Sequence, residues 1–245
     1  MKTLVIIPSR LSASRLPGKP LLKINGLSII SHVYKKAQEA DIGDVFVAAE
    51  DQEIVEDVKK NGGEAILTNN NHKTGTDRIY EALVKLGRTD AELVMNLQGD
   101  EPLMNIEDIQ NLNSQMIETK RDLGTLAAKI DDKKVFENVD IVKVITEESL
   151  DVSKFPQALN FMRKLGEESN QTYHHLGIYC YNVEILKKFI SFKQSQNEIK
   201  NRLEQLRALD NNIKINVALA NSSPIGVDTE EDFMAIKKIM EYNSQ

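Results

Sequence analysis

The 245-residue sequence lacks the features of several large protein classes. Its single cysteine, Cys180, excludes an internal disulfide and any cysteine-rich metal site. No apolar stretch approaches the roughly 20 residues of a membrane-spanning helix, so we expect no membrane contact. The N-terminal run LVII is too short for a secretion signal. Together with the lack of disulfides, these absences favour a cytoplasmic protein.

Common catalytic and nucleotide-binding motifs are also missing. The sequence has neither the Walker pattern GxxxxGK[ST] nor the dinucleotide pattern GxGxxG. It has no GxSxG nucleophile elbow and no zinc-like spacing of histidine and cysteine. The formal net charge of −6 argues against broad electrostatic binding of nucleic acid or acidic membrane. A local basic site for a small anion remains compatible with that charge.

Short apolar runs and amphipathic segments alternate in the first half of the chain. Strands are predicted at 2–8, 44–50, 64–68 and 92–98, and helices at 27–40, 51–63, 77–87 and 106–119. This alternation is typical of a parallel sheet with helices on both faces. We therefore predict an α/β, Rossmann-like fold.

The second half of the chain is less regular. Strands are predicted at 124–130, 141–148, 174–182 and 214–220, and helices at 183–190, 199–209 and 232–243. The stretch 153–172 has no clear pattern. Because no linker rich in Pro, Gly or Ser interrupts the chain, we predict one domain over 1–245, with a mixed-sheet extension from about residue 121.

Three polar clusters follow predicted strands: SRLSASRLPGKP (9–20), HKTGTDR (72–78) and NLQGDEP (96–102). Ligands of open α/β sheets bind at the carboxyl ends of the parallel strands. The first cluster holds Arg10, Arg15 and Lys19, and no acidic residue precedes Glu39. Arginine offers paired donors to phosphate oxygens and lysine a mobile charge, so this loop predicts a polyphosphate site. A solvated basic surface is the alternative.

The other two clusters and Asp228 offer complementary chemistry. Asp100 follows a buried strand, and a hard cation such as Mg²⁺ is a natural partner for its carboxylate. Asp228 is either a second ligand of that cation or the N-cap of the last helix. The TGTDR residues either cap a helix or hold a base or sugar. Together these features indicate phosphoryl or nucleotidyl transfer, which needs positioning and charge neutralisation more than a protein nucleophile.

Six segments, in order, resemble the sugar-activating cytidylyltransferases. They are SRLSASRLPGKPL, HKTGTDR, NLQGDEP, HHLGIYCYN, RLEQLRAL and GVDTEED. The set favours the branch that acts on 3-deoxy-D-manno-octulosonate (KDO), and the likeness runs from about residue 3 to 240. The resemblance implies a Rossmann-like nucleotidyltransferase fold, a homodimer, Mg²⁺ dependence and the formation of CMP-KDO and pyrophosphate from CTP and KDO for lipopolysaccharide assembly. It also implies a CTP-binding half over 1–120 and a sugar-binding and dimerisation half over 121–245.

The resemblance implies roles for individual residues. Those expected to contact CTP are Ser9, Arg10, Arg15, Lys19, Thr74, Gly75, Thr76 and Arg78. Lys19, Arg10, Arg15 and Asp100 are expected to act in catalysis, and Asp100 and Asp228 to bind Mg²⁺. Those expected to line the sugar site are Gln98, His175, Tyr179, Glu204 and Gln205.

Three departures from the family pattern concern the sugar. A Ser-Arg pair expected at 156–157 is replaced by Pro-Gln, with Arg163 as a candidate substitute. Asn201 stands at an expected acidic position, and Pro224-Ile225 replaces a glycine-threonine pair. A cytidylyltransferase for 8-amino-KDO or a sialic-type acid is therefore an alternative, as is a non-catalytic nucleotide-binding paralogue. A glycosyltransferase is disfavoured because GDEP is not a DxD motif.

Overall fold

The computed structural model describes residues 2–12, 15–88, 90–130, 132–164 and 169–242. The strands are β1 (Thr3–Ser9), β2 (Lys23–Ile24), β3 (Leu27–Ser28), β4 (Gly43–Ala49), β5 (Ala65–Leu67), β6 (Leu93–Asn96), β7 (Leu123–Ala128), β8 (Lys143–Thr146), β9 (Ala158–Met162), β10 (Thr172–Asn182) and β11 (Ile215–Leu219). The helices are α1 (Ile29–Glu39), α2 (Gln52–Lys60), α3 (Gly75–Lys85), α4 (Ile106–Thr119), α5 (Lys133–Glu137), α6 (Val183–Ser191), α7 (Gln196–Asn201), α8 (Leu206–Asp210) and α9 (Glu230–Tyr242). A 3-10 helix spans Lys19–Leu21.

The chain divides into two compact units. The first unit contains Lys2–Ala91, Asn96–Ile106 and the chain from Pro224 onward. The second unit contains Glu92–Met95 and Glu107–Ser223.

Parallel strands form the centre of the first unit. β1 pairs with β4, and β4 pairs with β5, both in parallel register. The side chains from Leu4 to Ile7 are all fully buried, which confirms the prediction that the first strand is covered on both faces. The segment from Asn96 to Ile106 begins beside β1, where the Leu97 N–H donates to the Ile6 carbonyl at 3.3 Å.

A smaller apolar cluster in the first unit joins α9 to the β2–β3 hairpin. Its fully buried members are Ile24, Ile29, Val227 and Ile236. Val227 is the residue before Asp228, so burial of its side chain anchors the approach to α9. Burying an aliphatic side chain of this size stabilises a fold by roughly 1.5–3 kcal/mol.

In the second unit, β7 lies between a parallel and an antiparallel neighbour. β11 pairs with β7 in parallel, and β10 pairs with β7 and with β8 in antiparallel register. Cys180 lies in β10, within the predicted strand 174–182, and is fully buried; burial raises the pKa of its thiol. The α/β prediction, with parallel pairing extended by a mixed sheet, is confirmed.

Some predicted boundaries are wrong. The predicted helix 199–209 is two short helices, α7 and α8, because Arg202 adopts a left-handed conformation with φ 54°. The unassigned stretch 153–172 contains β9, which pairs with β8. The β2–β3 hairpin and α5 have no counterpart among the predicted elements. In the part of the chain that the structure describes, every helix is too short or too polar to cross a membrane.

Candidate functional site

A cavity of about 340 Å³ opens at the carboxyl end of β1 in the first unit. This volume lies within the ~300–1,000 Å³ range typical of small-molecule sites. All three polar clusters and the start of α9 contribute to its wall. The predicted residues that line it are Ser9, Arg10, Arg15, Lys19, Thr74, Gly75, Arg78, Gln98, Asp100 and Asp228.

Hydrogen bonds donated by the backbone N–H groups of Leu11 and Gly18 hold the two ends of the cluster 9–20, the basic loop. The Leu11 N–H donates to Asp51 Oδ2 at 2.7 Å, and the Gly18 N–H donates to the Leu11 carbonyl at 3.1 Å. Gly18 has a φ of 72°, a left-handed conformation that glycine adopts without steric cost. The 3-10 helix starts at the next residue, so Lys19 is fixed at the base of the loop while the Arg15 side chain extends, largely exposed, beyond it.

Three oxygen atoms surround the Lys19 ammonium group. Lys19 Nζ lies 2.5 Å from Asp100 Oδ2, 3.3 Å from Asp228 Oδ1 and 2.8 Å from the Val227 carbonyl oxygen. Arg15 Nη2 also reaches Asp228 Oδ1, at 2.9 Å. The structure thus brings two predicted catalytic cations together with both predicted metal ligands, although the aspartates lie far apart in the sequence.

The carboxylate of Asp228 is not used to cap α9. Thr229 has that role: its Oγ1 accepts the Asp232 N–H at 3.2 Å, and Asp232 Oδ2 accepts the Thr229 N–H at 2.8 Å. This reciprocal pair is a capping box with aspartate in place of the usual glutamate. The alternative in which Asp228 is the N-cap of α9 is therefore wrong, and Asp228 lines the cavity.

The oxygen donors around Lys19 fit a hard divalent cation. Carboxylate and carbonyl oxygens are the donors such ions prefer, and those of Asp100, Asp228 and Val227 already converge on one positive charge. Glu101 Oε2 is buried beside this group and has no hydrogen-bond partner. Burial, followed by the charges of Asp100 and Asp228, raises the pKa of Glu101 to about 8. Among the described residues, no group of three or more His, Cys, Asp or Glu side chains forms a complete metal site.

The HKTGTDR segment begins α3. Thr74 is the N-cap, and its Oγ1 accepts the Asp77 N–H at 3.3 Å, as the sequence predicted for this start signal. Gly75 lies close to Pro8, so a Cβ atom at residue 75 would lie 3.5 Å from Pro8 Cγ. Thr76, alone among the predicted nucleotide residues, does not line the cavity, and its side chain is buried.

The Arg78 guanidinium is bound within the protein. Nη1 donates to Thr68 Oγ1 at 2.6 Å and to the Asn69 carbonyl at 3.1 Å, and Nη2 pairs with the Glu50 carboxylate. Arg78 is 3% exposed. The predicted contact between Arg78 and a nucleotide remains a prediction, whereas its contacts with the segment before α3 are part of the structure.

Four of the five predicted sugar residues lie in the second unit, and Gln98 lies in the first. His175 Nε2 is 3.0 Å from Thr125 Oγ1, and burial, followed by the neighbouring His174, lowers the pKa of His175 to about 3. The Tyr179 ring lies 5.4 Å from the His175 ring, between ring centroids. Burial, followed by the charges of Tyr181 and Glu204, raises the pKa of Tyr179.

His175 and Gln205 are buried, and Tyr179 and Glu204 are partly buried. Gln205 lies at the start of α8. At neutral pH the imidazole of His175 and the hydroxyl of Tyr179 are both uncharged, so they offer hydrogen bonds rather than charge.

Pro156 and Asn201, which depart from the family pattern, and Arg163, the candidate substitute, have hydrogen-bond partners within the protein. The Pro156 carbonyl accepts the Val217 N–H at 2.9 Å, which holds this segment along β11. Arg163 Nη1 donates to the Asp140 carbonyl at 3.0 Å. Asn201 is exposed, and its Nδ2 donates to the Asn197 carbonyl at 2.9 Å.

Sequence reasoning missed three residues around the cavity. Glu101 lay within the quoted NLQGDEP segment, and its position next to Asp100 was the available signal. His72 lay within HKTGTDR but received no role, although it lines the cavity. Glu81, in the second turn of α3, contacts His72, and only the folded backbone reveals that contact.

Comparisons with known proteins agree with the geometry. The family model for cytidylyltransferases matches residues 4–215. A protein of Afipia carboxidovorans named 3-deoxy-manno-octulosonate cytidylyltransferase is 42% identical over 246 residues, which cover 97% of this chain and 96% of that protein. A protein of the same name from Thermodesulfovibrio yellowstonii is 41% identical over 251 residues and covers 98% of each chain.

Two solved structures extend the comparison. The structure of CMP:2-keto-3-deoxy-manno-octonic acid synthetase complexed with CTP has a TM-score of 0.89 and 33% sequence identity, and the match covers 99% of this chain and 100% of that chain. UDP-glucose pyrophosphorylase complexed with UDP-glucose has a TM-score of 0.71 at 12% identity and covers 100% of each chain. The second likeness concerns the fold alone.

Proposed function

The chain belongs to the cytidylyltransferase family, and on that premise we propose that it transfers the CMP group of CTP to the anomeric hydroxyl of KDO. The products are CMP-KDO, which supplies lipopolysaccharide assembly, and pyrophosphate. The observation that carries the proposal is the convergence of Lys19, Asp100 and Asp228 in a cavity lined by the basic loop. Relatives of about 40% identity over nearly the whole chain support KDO as the acceptor.

Charge neutralisation is the main task of the protein in this reaction. The anomeric oxygen forms a bond to the α-phosphorus while the bond from that phosphorus to the pyrophosphate oxygen breaks, and the hydroxyl proton is released to water. Lys19, Arg10 and Arg15 bind the triphosphate and stabilise the negative charge that develops on the leaving pyrophosphate. Since these groups act by position and charge, no covalent enzyme intermediate is needed.

Cytidylyltransferases generally use a divalent metal ion, and we infer that this one uses Mg²⁺. Asp100 and Asp228 would hold the ion, because their carboxylates already share a cationic partner in Lys19. A bound Mg²⁺ screens the phosphate charges and favours ionisation of the sugar hydroxyl. Lys19 is then available to the phosphates instead of the carboxylates.

The second unit supports the proposed sugar contacts. His175 and Tyr179 present uncharged polar groups, and Glu204 lies close enough to Tyr179 to influence its ionisation. A sugar acid rich in hydroxyl groups requires such hydrogen-bonding partners. Pro156 and Gln157 replace the expected Ser-Arg pair, and this departure keeps another ulosonic acid as the second candidate acceptor.

We also infer that the protein acts in the cytoplasm as a homodimer. The only cysteine is buried and reduced, which suits a reducing compartment. Residues 1–120 would supply most CTP contacts, and residues 121–245 the dimer contacts and most sugar contacts.

Pyrophosphate release from CTP and Mg²⁺ in the presence of a panel of ulosonic acids tests the proposal. Release that requires KDO is the expected result, and Asp100→Asn should abolish it while the melting temperature stays within a few degrees of wild type. Pyrophosphate release only with 8-amino-KDO or a sialic-type acid would show that this acid, and not KDO, is the acceptor. CTP binding without release for any acid would favour the non-catalytic paralogue.

A further inference from the structure

The segment between β5 and α3 forms one wall of the cavity through His72, Lys73 and Thr74. It has no regular secondary structure before α3, and beyond the Thr68 N–H, which donates to the Ala49 carbonyl, side chains bind its backbone groups. Asn69, near its start, is bound at both its backbone N–H and its backbone carbonyl. The two side chains that bind it both come from α3.

The first of these side chains is Arg78, which holds the Asn69 carbonyl. Its Nη1 donates to that carbonyl at 3.1 Å and to the hydroxyl of Thr68 at 2.6 Å. The pairing of Nη2 with Glu50, at the end of β4, fixes the guanidinium plane. Both partners of this ion pair are largely buried, so the contact is shielded from solvent.

The second side chain is Glu81, which holds the Asn69 N–H. Its Oε2 accepts that N–H at 2.9 Å and also contacts His72 Nε2, while Oε1 lies 2.6 Å from Lys85 Nζ. Burial alone would raise the pKa of Glu81, but hydrogen bonds from Lys85, His72 and Asn69 outweigh it and lower that pKa to about 2. The carboxylate is therefore ionised at neutral pH, and hydrogen bonds to an ionised acceptor are the stronger kind.

Arg78 and Glu81 act from one helical face, because residues three apart on a helix are neighbours. One binds the carbonyl of Asn69 and the other binds its N–H, so the peptide chain there cannot rotate without breaking a charge-assisted bond. Glu81 also fixes His72, which lies in the cavity wall. The two ends of the segment 69–72 are thus tied to α3.

We propose that Glu81, together with Arg78, is a positioning residue that fixes the 69–72 backbone and thereby holds His72, Lys73 and Thr74 as a rigid wall for the cytosine base of CTP. The inference rests on the proposed function for the identity of the nucleotide. Cytosine and uracil differ at position 4, where one has an amine donor and the other a carbonyl acceptor. A wall of fixed backbone groups can satisfy one of them and leaves a buried polar group unpaired with the other. Loss of the contacts that Glu81 and Arg78 make with Asn69 should weaken CTP binding and discrimination against UTP.

The test compares Glu81→Ala and Glu81→Gln with Glu53→Ala, a control at an exposed glutamate of α2. The dissociation constants of CTP and UTP are measured by titration calorimetry without sugar, beside KM and kcat. For Glu81→Ala we expect CTP binding about 10-fold weaker, a CTP-to-UTP preference reduced about 10-fold, and kcat at saturating CTP within about 3-fold of wild type. Glu53→Ala should match wild type.

Glu81→Gln keeps an oxygen for the Asn69 N–H but loses the charge, so we expect an intermediate effect of about 3-fold to 10-fold on CTP binding. If Glu81→Ala does not fold, the CTP affinity and CTP-to-UTP preference of Glu81→Gln test the proposal on their own. CTP affinity and CTP-to-UTP preference within 2-fold of wild type in Glu81→Gln would overturn the proposal. Lack of pyrophosphate release by the wild type would contradict the proposed function alone, since the binding comparison needs no turnover.

Discussion

In the proposed reaction, Lys19 is the residue whose loss we expect to affect the chemical step most. Its ammonium group lies among the carboxylates of Asp100 and Asp228 and the Val227 carbonyl, and its side chain is only 14% exposed. A partly buried ammonium group at the base of a closed loop is already oriented, so little reorganisation is needed when charge develops on a leaving group. Arg15, which is largely exposed, has no such constraint and is better suited to capture the triphosphate.

Lys19→Ala should therefore impair the chemical step more than nucleotide binding. We expect kcat to fall by roughly 10²–10³-fold and the dissociation constant of CTP to change by less than about 10-fold. Lys23→Ala, at an exposed lysine of β2, is the control and should behave as wild type. Single-turnover kinetics and calorimetry separate the two quantities. A large loss of CTP affinity with kcat unchanged would show that Lys19 binds the nucleotide but does not act in the chemical step.

At the scale of the elements, the position of Asp100 depends on how closely the chain after β6 approaches β1. A Cβ atom at Gly99 would lie 2.8 Å from the Pro8 carbonyl oxygen and 3.3 Å from Ile30 Cδ1. The first of these atoms belongs to the backbone and cannot move alone. Glycine at residue 99 is therefore required for the segment to lie at the carboxyl end of β1.

Gly99→Ala should destabilise the protein by roughly 1–3 kcal/mol, the usual cost of overpacking, and should displace Asp100 enough to lower kcat. Gly75→Ala is the control for stability, because its Cβ would meet Pro8 only at 3.5 Å. Urea denaturation measures both free energies of unfolding. Equal stability of Gly99→Ala and wild type would show that the backbone adjusts without cost.

A buried ion pair joins α7 to α8 in the second unit. Arg207 Nε donates to Glu198 Oε2 at 2.8 Å, and both side chains are almost fully buried. The Arg207 guanidinium also lies 4.7 Å from the centroid of the Phe189 ring. The pair spans Glu204 and Gln205, so it sets the geometry of the segment that carries two proposed sugar contacts.

Removal of one partner of this pair should be more damaging than replacement of both. Arg207→Met leaves the buried carboxylate of Glu198 without its cationic partner, although Gln194 and the Ser195 N–H still donate to it. This variant should cost roughly 3–5 kcal/mol of folding free energy, whereas the double variant Glu198→Gln/Arg207→Met should cost clearly less. Glu241→Ala, which removes the exposed pair with Lys237, should cost under about 1 kcal/mol. Additive losses in the double variant, measured by urea denaturation, would contradict this account.

At the scale of the whole molecule, hydrophobic periodicity was enough to predict most strands and helices. The run at 2–8 and the helix at 106–119 are nearly unchanged in the structure, because both patterns are long and regular. The break at Arg202 was not predicted, since helical spacing continues across it, although Ser195 and Glu198 form a capping box that marks a helix start. β9 was missed because its pairing with β8 is a tertiary contact.

Contacts between distant parts of the chain also limited what the sequence could predict of the candidate site. The basic loop and Asp100 were predictable because each follows a strand and carries an unmistakable charge. The cap of α9 was not predictable, because aspartate and threonine are both good caps. Only the folded chain shows that the Thr229 hydroxyl caps the helix while the Asp228 carboxylate reaches Lys19. The burial of Arg78 against Asn69 and Glu50 also depends on distant parts of the chain.

The proposed homodimer is also a property of the whole molecule. Sedimentation equilibrium of the full chain should give about twice the 27.6 kDa mass of one chain at micromolar concentration. Dilution should not change the activity per chain while that mass persists. A mass of one chain at every concentration, with full activity, would show that the monomer is the active form.

Phosphorus NMR of the purified protein with CTP, KDO and Mg²⁺ tests transfer of CMP to KDO most directly, since it reports both products of one reaction. We expect the three CTP resonances to disappear together and a pyrophosphate resonance and a single phosphodiester resonance to replace them in equal chemical amounts. The same mixture with Asp100→Asn should keep its CTP resonances. Persistence of CTP with the wild-type protein and KDO, or conversion to CMP and pyrophosphate without a phosphodiester, would contradict transfer of CMP to KDO.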